Sequence, residues 1–407
     1  MNVLMISPGY PAEMPYFTRG LATVGARVFG VGDQPKDALP RDVRHALTAY
    51  LQVDQLWDET RTTELVHEEV RRHGARIDRV ECLWEPGMVL AARIRQALGV
   101  PGLTVEQTIP FRDKQRMKEV LDAAGIRTPW HVRARTADEV RAAAARVGYP
   151  LIVKPIAGAG STDTYRIDGP GVLETVLPRL RHVPEVSVEE FVDGDEFTFD
   201  SVSAGGRILF ENVSFYRPRP LEEKKHEWIS GSSTCLRDLE MPEIQGGRRM
   251  GRKVLTALGF RDGFTHMEWY RKFDGEVVFG EIGARPPGAR LVHAMNFASD
   301  LDLFRGWAEA VCHGHLSQNI DRRYNATVVF KRAKGQGRIQ RYEGLEQLRA
   351  ELGDGLVAVE LSPIGAARQD WRSTSVSDGW LVVRHPELQT TFRMAERVGE
   401  LLQIIAG

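Results

Sequence analysis

The stretch His266-Met267-Glu268-Trp269-Tyr270-Arg271-Lys272-Phe273-Asp274-Gly275-Glu276-Val277-Val278-Phe279-Gly280-Glu281-Ile282 reads as two strands around a tight turn. Asp-Gly between apolar-rich runs is among the strongest short hairpin signals. A turn centred on Asp274–Gly275 sets Glu268 directly opposite Glu281 on one sheet face. Directly opposed side chains have Cβ atoms roughly 4.5–5.5 Å apart, and like charges so placed are destabilising. A buried pair of this kind needs a cation, and two carboxylates without a nearby cysteine suit a hard, oxygen-preferring ion such as Mg²⁺. On an exposed hairpin the same two glutamates would simply be solvated, so the rest of the chain decides between the readings.

The 407 residues are enough for two or three domains with sizeable cores. A formal net charge of −1 argues against nucleic-acid binding as the main role. Cys82, Cys235 and Cys312 are widely scattered, which indicates neither a disulfide framework nor a zinc site. No segment approaches the ~20 apolar residues that span a bilayer. The expectation is a cytoplasmic protein that binds neither nucleic acid nor membrane.

Working outward from the hairpin, the first hundred residues alternate strand and helix patterns. Strands are expected at residues 3–6, 28–31 and 80–83, and helices around 63–73 and 89–98, which implies a parallel sheet with helices on its faces. Ligands of such sheets sit at the carboxyl ends of strands, so the loops after Ile6 and Leu83 could line a site. Gly30-Val31-Gly32 does not match a dinucleotide fingerprint. Helices follow at 114–124 and 137–147. Residues 150–285 read as strand-rich, 301–313 as helix, and the chain is expected to finish in a helix around 388–405.

Residues 150–155 form a short apolar strand that delivers Lys154 into the run Ala157-Gly158-Ala159-Gly160-Ser161-Thr162. A Gly- and hydroxyl-rich loop lets backbone N–H groups approach polyphosphate oxygens, and a lysine adds a point charge. Glu189-Glu190-Phe191-Val192-Asp193-Gly194-Asp195-Glu196 then reads as strand, connector, strand. In the charged stretch 215–233, most residues fit a solvated loop face. His313 and His315, at a helix end, read as surface residues.

Over roughly residues 110–290 the order of these segments resembles the ATP-grasp family. The resemblance implies that Lys114, after Asp113, contacts ATP, and that Lys154 with Gly158, Gly160 and Ser161 covers the triphosphate. By the same match Glu189 meets the adenine amino side, Val192 gives main-chain contacts, and Glu196 accepts from the ribose hydroxyls. Glu268 and Glu281 fall on the Mg²⁺ ligands, with Mn²⁺ as an alternative ion, and Arg285 faces the transferred phosphate. Where the family often has Asn two residues after the second metal ligand, this chain has Gly283, opposite His266 in the pairing above.

The implied architecture is α/β and α+β multidomain, a Rossmann-like parallel-sheet domain followed by an ATP-grasp fold. Its parts are an N-terminal domain (1–108), a small subdomain with the Gly-rich loop (109–185), a catalytic subdomain (186–318) and a C-terminal extension (319–407). The implied activity is ATP-dependent joining of a small carboxylate, such as an amino acid, to an amine through an acylphosphate, releasing ADP and phosphate. A homodimer is one assembly the resemblance allows. A purine-biosynthetic ligase, given Glu281-x-x-x-Arg285-Pro286, and a non-catalytic ATP-binding module are the alternatives.

Overall fold

The computed structural model describes residues 1–158, 162–372, 374 and 376–407. Gly160 and Ser161, expected at the phosphate loop, lie outside the described residues.

Strands β1 (Asn2–Ile6), β2 (Arg27–Gly32), β3 (Leu47–Gln52) and β4 (Arg79–Glu81) form a parallel sheet in the order β3-β2-β1-β4. β1 lies inside it, and Val3, Met5 and Ile6 are fully buried. A near-continuous apolar run is what a strand covered on both faces requires. β3 was not expected from the sequence. It is a half-exposed edge strand, whose mixed residues carry little apolar signal.

The second sheet is antiparallel. It consists of β5 (His131–Ala134), β6 (Leu151–Pro155), β7 (Tyr165–Ile167) and β8 (Val186–Glu190), in the order β5-β8-β6-β7. Helices Ala137–Val147 and Pro170–Val176 close a small core of their own against it.

The third sheet holds nine strands among the described residues. They are β9 (Asp195–Ala204), β10 (Arg207–Asn212), β11 (Ser214–Arg217), β12 (Ser232–Cys235), β13 (Gly263–Arg271), β14 (Val277–Gly283), β15 (Asn325–Lys331), β17 (Leu356–Leu361) and β18 (Gly379–His385). The order is β14-β13-β9-β11-β12-β15-β18-β17, with β10 paired to β9. β16 (Ile339–Glu343) and β19 (Gln403–Ala406) form a separate pair.

Two elements differ from the sequence expectation. Residues 242–257, inside the stretch read as strand-rich, form a helix, Pro242–Ala257, whose buried positions Gly247, Met250, Gly251 and Val254 recur at helical spacing. A Cβ on Gly247 would sit 2.2 Å from Trp269, and one on Gly251 2.4 Å from Phe199. The glycines that obscure the helical pattern are there so that helix and sheet can approach closely. The final helix, expected to reach residue 405, ends at Leu401, and the following residues pair with β16. Ile404 and Ile405 are β-branched residues that complete a ladder, which outweighs their continuation of the helix.

The hairpin register holds at the acids and shifts near the turn. His266 faces Gly283, Met267 faces Ile282 and Glu268 faces Glu281, but Trp269 faces Phe279, so Gly280 is an extra, bulged residue. The turn closes as Lys272 N–H to Glu276 O, 2.9 Å, so it is a three-residue turn centred on Asp274 and not a two-residue turn at Asp274–Gly275. The bulge restores the register that puts the two glutamates together. A Cβ on Gly280 would lie 2.8 Å from the Glu268 carbonyl oxygen, so a bulge here needs glycine.

Candidate active site

A cleft of about 590 Å³ lies where the three larger sheets meet, within the usual range for small-molecule sites. Its floor is one face of the β14-β13-β9 ladder. Side chains two apart on a strand share a face, so His266, Glu268 and Tyr270 stand in a row on β13. Across the ladder Glu281 faces Glu268, while on β9 Glu196 faces Tyr270 and Asp200 faces His266.

The acids on this floor have unequal surroundings. Glu281 is half-buried and receives Lys114 Nζ at 3.5 Å and Lys154 Nζ at 3.9 Å. Burial works to raise its pKa, but Lys114, Lys154 and Arg285 outweigh it and hold the carboxyl at about 2. Among the described residues no lysine pairs with Glu268; its polar neighbours are the Tyr216 hydroxyl and His266 Nε2, each at 3.5 Å. Glu196 is almost fully buried; burial and the Glu268 charge push it up to about 7, although Arg219 lies 3.1 Å away.

His266 is held by Asp200, whose carboxylate receives Nδ1 at 2.6 Å and also the Thr198 hydroxyl and the Asn212 amide. Burial alone would lower the imidazole, but Asp200 and Glu268 raise it to about 9. A cation therefore stands beside Glu268, facing Gly283.

The lysines arrive from separate elements. Asp113 caps the helix Lys114–Ala123 by accepting from the N–H groups of Gln115 and Arg116, and a bidentate Arg133 fixes the cap. Lys114, at the first helical position, reaches Gly158 O at 2.7 Å as well as Glu281. Lys154 projects from β6 and lies 3.0 Å from Glu189. Glu189 on β8 is fully enclosed. One of its oxygens meets Lys154 and the other meets Lys118. Burial would raise Glu189, but the two lysines hold it far below the usual carboxylate range, while burial lowers Lys118 to about 8.

Arg285 follows β14. It donates from Nε to Glu85 at 2.8 Å, and from Nη1 to its neighbour Pro286 O at 2.9 Å. Glu85 belongs to the loop after β4, where it also binds Arg112. Val192 lines the cleft, and its carbonyl accepts from Arg219 at 3.1 Å.

The described site residues expected from sequence, Lys114, Lys154, Gly158, Glu189, Val192, Glu196, Glu268, Glu281 and Arg285, all line this cleft. Sequence reading passed over Lys118, Glu85, Tyr216 and Asp200, the partner of His266, and counted Arg219 within a stretch expected to be mostly a solvated loop face. Lys118 carried a usable signal, since it lies one helical turn from Lys114 on the same face. Glu85 lies in the loop after Leu83, where a parallel sheet places ligands. Arg219 sits among so many charges that its inward direction leaves no trace in the pattern. His313 and His315 are exposed, as expected.

No protein-family model matches the chain. Over 238 residues, 56% of this chain and 56% of the relative, it is 27% identical to an L-arginine-specific L-amino acid ligase of Bacillus subtilis. Over 230 residues, 54% of this chain and 56% of the relative, it is 27% identical to a formate-dependent phosphoribosylglycinamide formyltransferase of Erythrobacter litoralis. The chain thus spans about half the length of the curated relatives it matches. Its fold is similar to the crystal structure of an L-amino acid ligase from Bacillus licheniformis, with a TM-score of 0.79 at 20% identity, covering 100% of this chain and 98% of that one. The relatives and solved structures that this chain resembles belong to the ATP-grasp superfamily. Within it, the relatives it resembles are carboxylate–amine ligases.

Among the described residues, no helix is long and apolar enough to cross a membrane.

Proposed function

We propose that this chain is an ADP-forming ligase that joins a small carboxylate, an amino acid or a close analogue, to an amine. The observation that supports it most directly is the convergence on Glu281. Lys114 and Lys154 reach it from two different elements, and Glu268 and Arg285 flank it. A module that only held a nucleotide would have no use for paired acids, two lysines and an arginine on one floor.

The donor set fits Mg²⁺. Glu268 and Glu281 are hard oxygen donors side by side, and Glu196, deprived of a close counter-charge beyond Arg219, is driven toward its neutral form. Among the described residues no group of three or more His, Cys, Asp or Glu side chains is arranged around one point. Phosphate oxygens and water would therefore complete the coordination, as is usual for this ion. When bound, Mg²⁺ would supply Lewis-acid neutralisation of phosphate charge.

The chain's own residues would do the rest by position. Lys114 and Lys154 would exchange their carboxylate partners for phosphate oxygens. Glu189, Val192 and Glu196 would line the adenosine side, with Glu196 accepting from ribose hydroxyls. Arg285, steadied by Glu85, would face the phosphoryl group in transfer. In the first step a carboxylate oxygen bonds to the terminal phosphorus of ATP and the bond to the ADP oxygen breaks. In the second the amine nitrogen bonds to the acyl carbon, and phosphate departs with the carboxylate oxygen. A cytoplasmic location and a homodimer belong to the same reading, and sedimentation of the purified protein would test the assembly.

The test is product analysis with an ¹⁸O-labelled carboxylate. ADP and phosphate should form only when carboxylate is present, with one labelled oxygen in the phosphate. AMP as the nucleotide product, or full retention of label in the amide, would refute the acylphosphate route.

A further inference from the structure

The cleft has one wall unlike its floor. Met14, Leu83, Ala289, Leu291, Phe330 and Val376 all line it, and all belong to one apolar cluster behind it. The wall begins beside the reacting end of the site: Ala289 and Leu291 follow Arg285 in the chain, and Leu83 precedes Glu85, the partner of Arg285.

The acids near this wall are already engaged. Glu13 accepts the Arg290 N–H at 3.1 Å, Glu85 is held by Arg112 and Arg285, and Glu223 pairs with Arg332 at 2.8 Å. Glu268 and Glu281 face each other on the floor. A cationic side chain laid along the wall would leave water for carbon, with the carboxylates beside the wall itself, Glu13, Glu85 and Glu223, already bound elsewhere. A charge taken out of water without a partner is strongly penalised, whereas an apolar side chain gains from the same contact.

We infer that the amino acid whose side chain meets this wall is apolar, in the class of methionine, leucine, valine and phenylalanine, and not basic as in the arginine-specific relative. The inference rests on the ligase reading above. Discrimination follows from the chemistry of the wall: one methylene in an apolar pocket changes kcat/KM about 10–200-fold, and an unpaired charge is rejected more strongly.

The experiment is ADP release from the purified protein with each L-amino acid, alone and paired with glycine. Apolar amino acids should exceed arginine, lysine, aspartate and glutamate by at least ~10-fold in kcat/KM. A charged amino acid as the best substrate overturns the inference while leaving the ligase reading intact; arginine would put the chain with its relative, and an acid would point to Arg372 at the rim. ADP release with no amino acid of any class overturns the ligase reading, and this inference with it. Val376 is only partly buried, so two variants there test the wall directly. Val376→Asp should cut turnover of leucine about tenfold and raise lysine relative to leucine. Val376→Ala, which removes volume alone, should shift preference toward the bulkier apolar side chains. Profiles unchanged in both variants would overturn the assignment.

Discussion

Two glutamates of the same cleft, Glu189 and Glu268, are built on opposite principles. Glu189 is sealed between Lys118 and Lys154, with a lysine on each oxygen. Glu268 faces another acid, and its Tyr216 and His266 neighbours lie at 3.5 Å. In the first cluster the carboxylate is compensated on both oxygens from within the fold. The second has its nearest cation, His266, at 3.5 Å, and burial together with the Glu268 charge pushes Glu196 up to about 7. One glutamate is thus compensated before any ligand arrives, while the other faces an acid across the ladder, although both are glutamates on strands.

The sharpest test of the first cluster is Lys118→Met. Lys118 is 1% exposed, and its loss strands half of the Glu189 charge in the interior. Breaking a buried pair in this way costs about 3–5 kcal/mol, measured as a fall in denaturant midpoint. A change below ~1 kcal/mol would show that Lys154 alone neutralises Glu189 and would erase the contrast.

The second cluster should fail in activity before it fails in stability. Glu281→Gln should remain folded and lose about 10²–10³-fold in kcat, the usual cost of removing a principal electrostatic element. Near wild-type turnover at saturating Mg²⁺ would place the metal elsewhere.

His266 offers a pH test of the same cluster. Its folded pKa of about 9 lies above the ordinary 6.5, because Asp200 and Glu268 outweigh burial. The charged pair therefore stabilises the fold fully below pH 6.5, and that contribution is lost as pH rises through about 9. The stability gap between the native protein and His266→Asn should be on the order of 3 kcal/mol larger below pH 6.5 than above pH 9, falling between those values. A gap independent of pH would mean the imidazole is neutral in the fold.

The smallest effect concerns the ribose. Glu196→Ala should weaken ATP about tenfold, or about 1.4 kcal/mol, and 2′-deoxy-ATP by less, since one of the accepting contacts is already missing. Equal losses for both nucleotides, read by calorimetry, would remove Glu196 from the ribose.

Much of the site was legible because its signals are local. A strand that delivers Lys154 into glycines, a helix that starts with Lys114 after Asp113, and an Asp-Gly turn between two acids each need only a few adjacent residues. The opposition of Glu268 and Glu281 was legible as well, although the route to it was not: the turn centres on Asp274, which shifts the register, and the bulge at Gly280 compensates. The helix Pro242–Ala257 was hidden because its glycines answer to Trp269 and Phe199, which are distant in sequence.

By itself, then, the order of residues determined the alternating architecture of the first hundred residues, the strand–loop that carries Lys154, and the two acids that face each other. Periodicity and turn chemistry act over a few residues, and a chain displays them openly. Only the tertiary structure decided that Glu189 is enclosed by two lysines, that Glu85 reaches across to steady Arg285, that Arg219 turns inward, and that six apolar residues from distant segments form one wall. Each of those depends on which segments the packed sheets bring within a few ångströms, and distance in space is not written in the spacing of a sequence.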